Sequence, residues 1–236
     1  SGKGGVGKTT TAINLGAAMN HFGRDVLIVD ANLTTPNIGL HLGSPIVPIT
    51  LNHVLNRKAK PEEAIYEHES GTKIMPASLS IDNLGDINHE RLSDITKRLR
   101  KISQIGLLDA SAGLGEEARS AIKASDEVII ITNPEISAVT DALKTIKLAE
   151  DMGKVVLGVI ITRATGKKWE MDISTIKDML EVPILGIVPE DDSIKESQRM
   201  KKSVIHSHPK SKSAQAYRKI ARRILGPEYM KQAAEI

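Results

Sequence analysis

Cysteine is absent from all 236 positions. Its absence excludes disulfides, thiolate zinc sites, cysteine-ligated iron–sulfur clusters and cysteine nucleophiles together. Long hydrophobic runs are missing too. The longest, residues 128–131 and 155–161, fall far short of the roughly 20 apolar residues that a membrane-spanning helix needs. No signal-peptide pattern precedes them, so a cytoplasmic location is expected, with peripheral attachment to a membrane left open. Net charge is small, at +3, and on this length does not by itself imply nucleic acid or membrane. The chain begins at Ser1 inside a motif that normally follows a buried strand, with no initiator methionine. A first strand is therefore expected to be missing ahead of it, and loss of a central parallel strand would lower stability.

What is present suffices for one core. With 40% hydrophobic residues, the chain reads as a single α/β domain over residues 1–236. Apolar runs at 26–29, 73–75, 105–108, 128–131, 155–161 and 184–188 read as buried strands. Helical patterns separate most of them. The first runs from Lys8 to about Phe22, with Ala12, Ile13, Leu15, Ala18 and Met19 as its apolar stripe and Gly23 as its cap. Others are expected at 90–101, 116–124, 137–152, 173–180, 193–199 and 213–225. This alternation predicts a mostly parallel sheet with helices on both faces, in three α/β/α layers. No repeat of solenoid length is visible. The only linker-like stretch is the polar, basic segment 201–213, ahead of a last helix expected to pack back on the domain.

Gly2, Gly7, Lys8 and Thr9 fit G-x-x-x-x-G-K-[ST], the loop of a P-loop NTPase-type fold. Its glycines let backbone N–H groups turn inward around phosphates. In that reading Gly4, Gly5, Val6, Gly7, Lys8, Thr9 and Thr10 surround a nucleotide. Lys8 reaches the β- and γ-phosphates, Thr9 offers its hydroxyl to Mg²⁺, and the helix starting at Lys8 adds its positive dipole end. A glycine-rich turn without a ligand is the plain alternative.

Ligands of open α/β sheets lie beyond the carboxyl ends of the strands. Asp30 and Asp109 each close an apolar run, and either is placed to hold Mg²⁺ through water and to sense the γ-phosphate. Each could equally cap a following helix or make a turn.

The whole loop, Gly2-Lys3-Gly4-Gly5-Val6-Gly7-Lys8-Thr9-Thr10, resembles that of the MinD/ParA family of deviant Walker A ATPases, the archaeal MinD-like branch most. The likeness runs almost end to end, through Val29-Asp30-Ala31-Asn32 with Pro36-Asn37, residues 109–113, Thr132-Asn133-Pro134-Glu135, Thr162-Arg163 and Val188-Pro189-Glu190-Asp191. The resemblance implies an ATP-binding, ATP-hydrolysing switch that closes as a homodimer around ATP/ADP and Mg²⁺ and serves spatial positioning in the cell. It makes Lys3 a residue that crosses the dimer interface to the partner's phosphates. With Lys3, the catalytic candidates are Lys8, Asp30 and Asn32; the metal candidates are Thr9, Asp30 and Asp109. Thr132, Asn133 and Arg163 become adenine contacts, and Pro189 and Asp191 complete the base pocket.

Two departures stand out. Asn32 occupies a position where many relatives carry an aspartate that positions or activates water, and an amide cannot accept a proton as a base. Slow hydrolysis is expected. Ser111 replaces a usual proline, which should loosen the segment after Asp109.

The client is left open by the sequence, as is the protein activator that the resemblance implies. Tyr217, Ile220, Ala221, Ile224 and Leu225 form an apolar stripe flanked by Arg218, Lys219, Arg222 and Arg223, compatible with an interfacial membrane helix or with a docked terminal one. Lys97, Arg98, Arg100 and Lys101, with Lys201, Lys202, Lys210 and Lys212, are the candidates for weak ParA-like DNA association. A nucleotide-binding scaffold with little hydrolysis is the third alternative. His206 and His208 mimic a metal pair, but no third ligand lies nearby in sequence.

Overall fold

The computed structural model describes residues 1–80 and 87–232, the last six by backbone alone. Helix α1 (Lys8–His21) buries Ile13, Leu15, Ala17, Ala18 and Met19. It stops one residue before the expected end, because Gly23 takes a left-handed φ of 76° and the Gly23 and Arg24 N–H groups close back on the Asn20 and Met19 carbonyls.

Strand β1 (Val26–Ala31) follows and is buried along its whole length. Next come α2 (Ile38–His41), α3 (Leu51–Leu55), a 3-10 turn at Pro61–Ala64, β2 (Tyr66–Glu67) and β3 (Lys73–Met75). The short elements α2, α3 and β2 escaped the sequence pattern, since four or five residues carry too little periodicity. A second 3-10 turn, His89–Arg91, leads into α4 (Leu92–Leu99), so the helix expected at 90–101 is shorter and tighter at its start.

The chain continues through β4 (Ile105–Ala110), α5 (Glu116–Ala124), β5 (Glu127–Thr132), α6 (Ile136–Asp151), β6 (Val155–Ala164), α7 (Ile173–Leu180), β7 (Ile184–Pro189), α8 (Asp192–Arg199), α9 (Val204–Ser207) and α10 (Lys212–Gln232). Among the described residues the strands form two sheets, ordered β2-β3-β1-β4 and β5-β6-β7. Every pairing is parallel except that of the edge strand β2 with β3.

Alternation along the strands sorts side chains between two faces. Val26 and Ile28 join Ile131 and Ile160 in one core under α1, α9 and α10. Leu27 and Val29 face α3, α4 and α5, while Ile130, Val159 and Ile161 face α6 and α7. The face under α1 and α10 is shared by both sheets and holds them side by side.

Between β4 and β5 lies a largely apolar cavity of about 700 Å³, lined by Leu107, Leu108, Ile129 and Ile130 from the strands and by Leu15 and Ile122 from the helices. Leu107, Leu108 and Ile129 are only half-buried, unlike β1.

The segment 201–213 is not a linker. It contains α9, whose Val204 and Ile205 are buried in the core, and the Val204 N–H donates to Asn14 Oδ1 at 2.7 Å. Two apolar residues in a basic run were enough to anchor it. The stripe on α10 is likewise internal. Tyr217, Ile220, Ala221 and Leu225 are all buried, in the core that α10 shares with α1 and the end of β7, and the Tyr217 hydroxyl lies 3.2 Å from Thr11 Oγ1. Gly226, with φ 76° and ψ 166°, kinks this helix. No helix among the described residues is long and apolar enough to cross a membrane.

Candidate nucleotide site

The loop at residues 2–9 stands at the head of α1, beside the carboxyl ends of β4, β5 and β6. Gly2 is pressed against α6, where a Cβ would come within 2.9 Å of the Asp141 backbone oxygen. Gly7 caps the helix with φ 91°, a left-handed turn that other residues rarely adopt. The first helical hydrogen bond runs from the Thr11 N–H to the Gly7 carbonyl at 2.8 Å. The N–H groups of Lys8, Thr9 and Thr10 are therefore left facing out of the helix start, where an anion is stabilised. Lys8 Nζ curls back to the Lys3 carbonyl at 3.3 Å; burial holds this ammonium below its usual pKa, with Asp109 opposing.

Asp30 and Asp109 are register partners on β1 and β4, and both are buried. Asp30 accepts from the N–H groups of Asn37 at 2.9 Å, Ile38 at 3.0 Å and Asn32 at 3.3 Å. It thus fixes the turn after β1. Asp109 accepts from the Thr9 hydroxyl at 2.5 Å. Burial, then repulsion from Asp109, pushes the Asp30 carboxyl up to about 8 despite those three donors. Burial pushes Asp109 up to about 6, against the Thr9 hydrogen bond and the Lys8 charge. Two desolvated carboxylates and a hydroxyl beside an anion cradle form a hard-oxygen donor set, which a small divalent cation relieves electrostatically.

A pH dependence follows. Asp30 and Asp109 keep their protons to higher pH in the folded than in the unfolded chain, so the folded state binds more protons between about 4 and 8. Stability should then fall as pH rises through that window. In chelator, the melting temperature is expected to drop from pH 5 to pH 8, and to drop less in Asp30→Asn. Equal slopes in the two proteins would refute this.

The turn after β1 is tied internally. Asn32 Nδ2 donates to the Thr35 carbonyl at 2.6 Å and Asn32 Oδ1 accepts from the Thr35 hydroxyl at 3.1 Å. Glu117, at the start of α5, accepts from both the N–H and the hydroxyl of Thr34. This bridge joins the turn after β1 to the segment after Asp109, where Ser111 is buried and Gly113 has φ 89°. It was invisible in sequence because its ends lie 83 residues apart. Lys3 Nζ does not turn towards Lys8. It bonds Glu135 at 2.7 Å and Ser137 at 3.0 Å at the start of α6.

On the other side of the loop, Asn133 is buried at the end of β5, and Arg163 is exposed at the end of β6 with φ 55°. Pro189 ends β7, half-buried. Asp191 is occupied structurally: one oxygen accepts from the Ser193 N–H at 3.0 Å, capping α8, and the other accepts from the Ser213 N–H at 3.0 Å. Burial would raise its pKa, but the Ser213 and Ser193 donors outweigh this and hold it below the ordinary value. Thr10 Oγ1 accepts from Gln198 of α8 at 3.2 Å, a contact with no sequence signal.

The histidine pair at 206 and 208 serves local bonds instead, to Ser203 and to Glu196, and no group of three or more His, Cys, Asp or Glu side chains that could hold a metal is found among the described residues. Several of the basic candidates are paired: Lys97 with Asp94, Arg100 with Asp126 and Lys202 with Glu69.

Comparison with known proteins bears directly on this geometry. Residues 1–204 match the family model for the CobQ/CobB/MinD/ParA nucleotide binding domain. The chain belongs to this family. Its relatives include an uncharacterized ATP-binding protein of Methanocaldococcus jannaschii, 36% identical across 98% of this chain and 88% of its own length. The septum site-determining protein MinD of Bacillus subtilis is 31% identical across 100% of this chain and 90% of its own. Among solved structures, MinD from Pyrococcus horikoshii complexed with Mg-ADP superposes with a TM-score of 0.93 at 35% identity, covering 100% of this chain and 97% of that one. A MinD-like fold in the CobQ/CobB/MinD/ParA family is thus established for the chain, in agreement with the resemblance read from its loop.

Proposed function

We propose that this MinD/ParA-family protein is a slow ATPase switch: it binds ATP with Mg²⁺, closes as a homodimer, and hydrolyses ATP to ADP and phosphate to dissolve the dimer. The observation that carries the reading is the Thr9–Asp109–Asp30 cluster beside Lys8 and the open N–H groups of α1. The carboxylates lie on one side of the loop, so phosphates and cation belong there. The nucleoside then extends to the other side, over the ends of β5, β6 and β7, where Asn133, Arg163 and Pro189 stand.

In this mechanism Thr9, Asp30 and Asp109 hold the cation, which neutralises charge on the phosphates. Lys8 and the loop amides bind the β- and γ-phosphates, and catalysis rests on positioning and electrostatics. Asn32, tied to Thr35, orients water weakly and takes no proton. That tie favours a second reading, a nucleotide-binding scaffold with little turnover.

Single-turnover ADP formation separates the two. A measurable rate in the parent protein supports the switch, and no ADP over hours leaves the scaffold. Asn32→Asp is expected to raise the rate, by up to about 100-fold, the low end of general-base contributions. An unchanged or lower rate removes Asn32 from the mechanism. For the client, the buried stripe on α10 weakens membrane attachment through that helix, and the ion pairs on the basic faces weaken the DNA reading. Within this proposal, spatial positioning works through protein partners, including an activator.

A further inference from the structure

We propose that Thr162 is a positioning residue that couples the nucleoside end of the site to the phosphate loop. The inference rests on the proposed binding of a nucleoside triphosphate at residues 2–9, and it adds a device for which the chain's motifs give no reason.

Thr162 lies at the carboxyl end of β6 and is buried. The ladder between β6 and β7 slips between Ile161 and Ala164, and Arg163 takes a left-handed φ of 55°. The bulge leaves Arg163 exposed while Thr162 stays buried against the loop. There its hydroxyl has three acceptors within reach: the Val6 carbonyl at 2.6 Å, Asn133 Oδ1 at 2.9 Å and the Thr132 carbonyl at 3.2 Å. These belong to three different elements, the phosphate loop, the segment after β5 and the end of β5 itself.

A hydroxyl carries one hydrogen, so the three acceptors compete for it. The Val6–Gly7 peptide is planar, and its carbonyl and its N–H point in opposite directions. Holding the Val6 carbonyl against β6 therefore fixes the Gly7 N–H on the side of the loop that faces the phosphates. Val6 is wholly buried, so its carbonyl has no ready replacement in water and depends on a protein donor. A base amino group that donates to Asn133 Oδ1 makes that oxygen a poorer acceptor for Thr162. The hydrogen then stays with Val6, and the loop is held in its phosphate-binding shape. Base recognition tightens phosphate recognition through a single hydroxyl.

Isothermal titration with Mg-ATP and, separately, with Mg-tripolyphosphate tests this, because tripolyphosphate occupies the loop without a base. The parent protein is expected to prefer ATP. In Thr162→Val, which keeps the shape and loses the hydroxyl, that preference should shrink at least about 5-fold, a shift of about 1 kcal/mol. Thr162→Ser keeps the hydroxyl and should keep the preference. A role in packing predicts the reverse order, with Ser damaged and Val tolerated, and would overturn the proposal. So would a Thr162→Val protein that loses affinity for both ligands by the same factor, or for neither. Should Thr162→Val fail to fold, Thr162→Ala lacks the hydroxyl without placing a methyl among polar atoms and carries the same expectation. A parent protein that binds neither ligand defeats the reading of the site itself, an outcome distinct from those above.

Discussion

Lys8→Ala is expected to lower the affinity for Mg-ATP by about 100-fold or more. Lys8 is the cation at the head of α1, and its ammonium is already partly desolvated, held to the Lys3 carbonyl 3.3 Å away. Removing one partner of a desolvated, hydrogen-bonded charge pair costs roughly 2–5 kcal/mol, and each 1.4 kcal/mol is about tenfold in affinity. The substitution acts a second way. Lys8 is one of the groups that lower the Asp109 pKa against burial. Without it Asp109 holds its proton more tightly and competes less well for a divalent cation. The fold should survive, because the lysine is only half-buried and the core under α1 is built from Ile13, Leu15 and Met19. Calorimetry on the variant, with circular dichroism as a control for folding, measures the effect. Binding within about 3-fold of the parent, in a folded variant, would show that residues 2–9 are not a phosphate cradle.

The second large effect is expected at Lys3, and it should spare binding. Its ammonium is held by Glu135 and Ser137 at the start of α6 rather than by the interior of its own loop. The pair with Glu135 is partly exposed, and such pairs contribute no more than about 1 kcal/mol. In the proposed homodimer Lys3 would therefore be easily released towards the second copy of the chain. A cation supplied across an interface to a transferring phosphoryl group contributes about 10³- to 10⁵-fold in rate. For Lys3→Ala the expected result is ATP affinity within about 3-fold of the parent, turnover lower by about 1000-fold, and no ATP-dependent dimer by light scattering. A variant that dimerises with ATP and turns over normally would sink the role of Lys3. One that loses ATP affinity as steeply as Lys8→Ala would place Lys3 in its own site instead.

Legibility in the sequence followed the distance over which a signal is written. The loop was readable because its glycines, lysine and threonine are neighbours, and because the helix that follows has its own period. Asp30 and Asp109 were readable as residues that close apolar runs, although their shared register and the repulsion it causes came from the sheet. The residues over β5, β6 and β7 had no such local mark and entered only through the family resemblance. For Asp191 the structure added what the resemblance lacked, a carboxylate whose oxygens accept from the starts of α8 and α10. The segment 201–213 was misread because composition averages over it, whereas Val204 and Ile205 act as individual anchors. The amphipathic pattern on α10 was compatible with a membrane surface as well as with the docked helix that was expected, since a stripe records that one face is apolar and not what covers it.

The sequence by itself determined the α/β class, the parallel strands, the glycine-rich loop at the head of α1 and the two acidic strand ends, because each is encoded in a short run whose residues act on their immediate neighbours. Tertiary structure alone decided that α10 buries its stripe on α1, that Glu117 bridges to Thr34, that Lys3 rests on Glu135, and that Thr162 faces Val6 across 156 residues. Such contacts depend on which strand lies beside which and on where a bulge turns a side chain. Those are properties of the packed sheet, and no residue carries them locally.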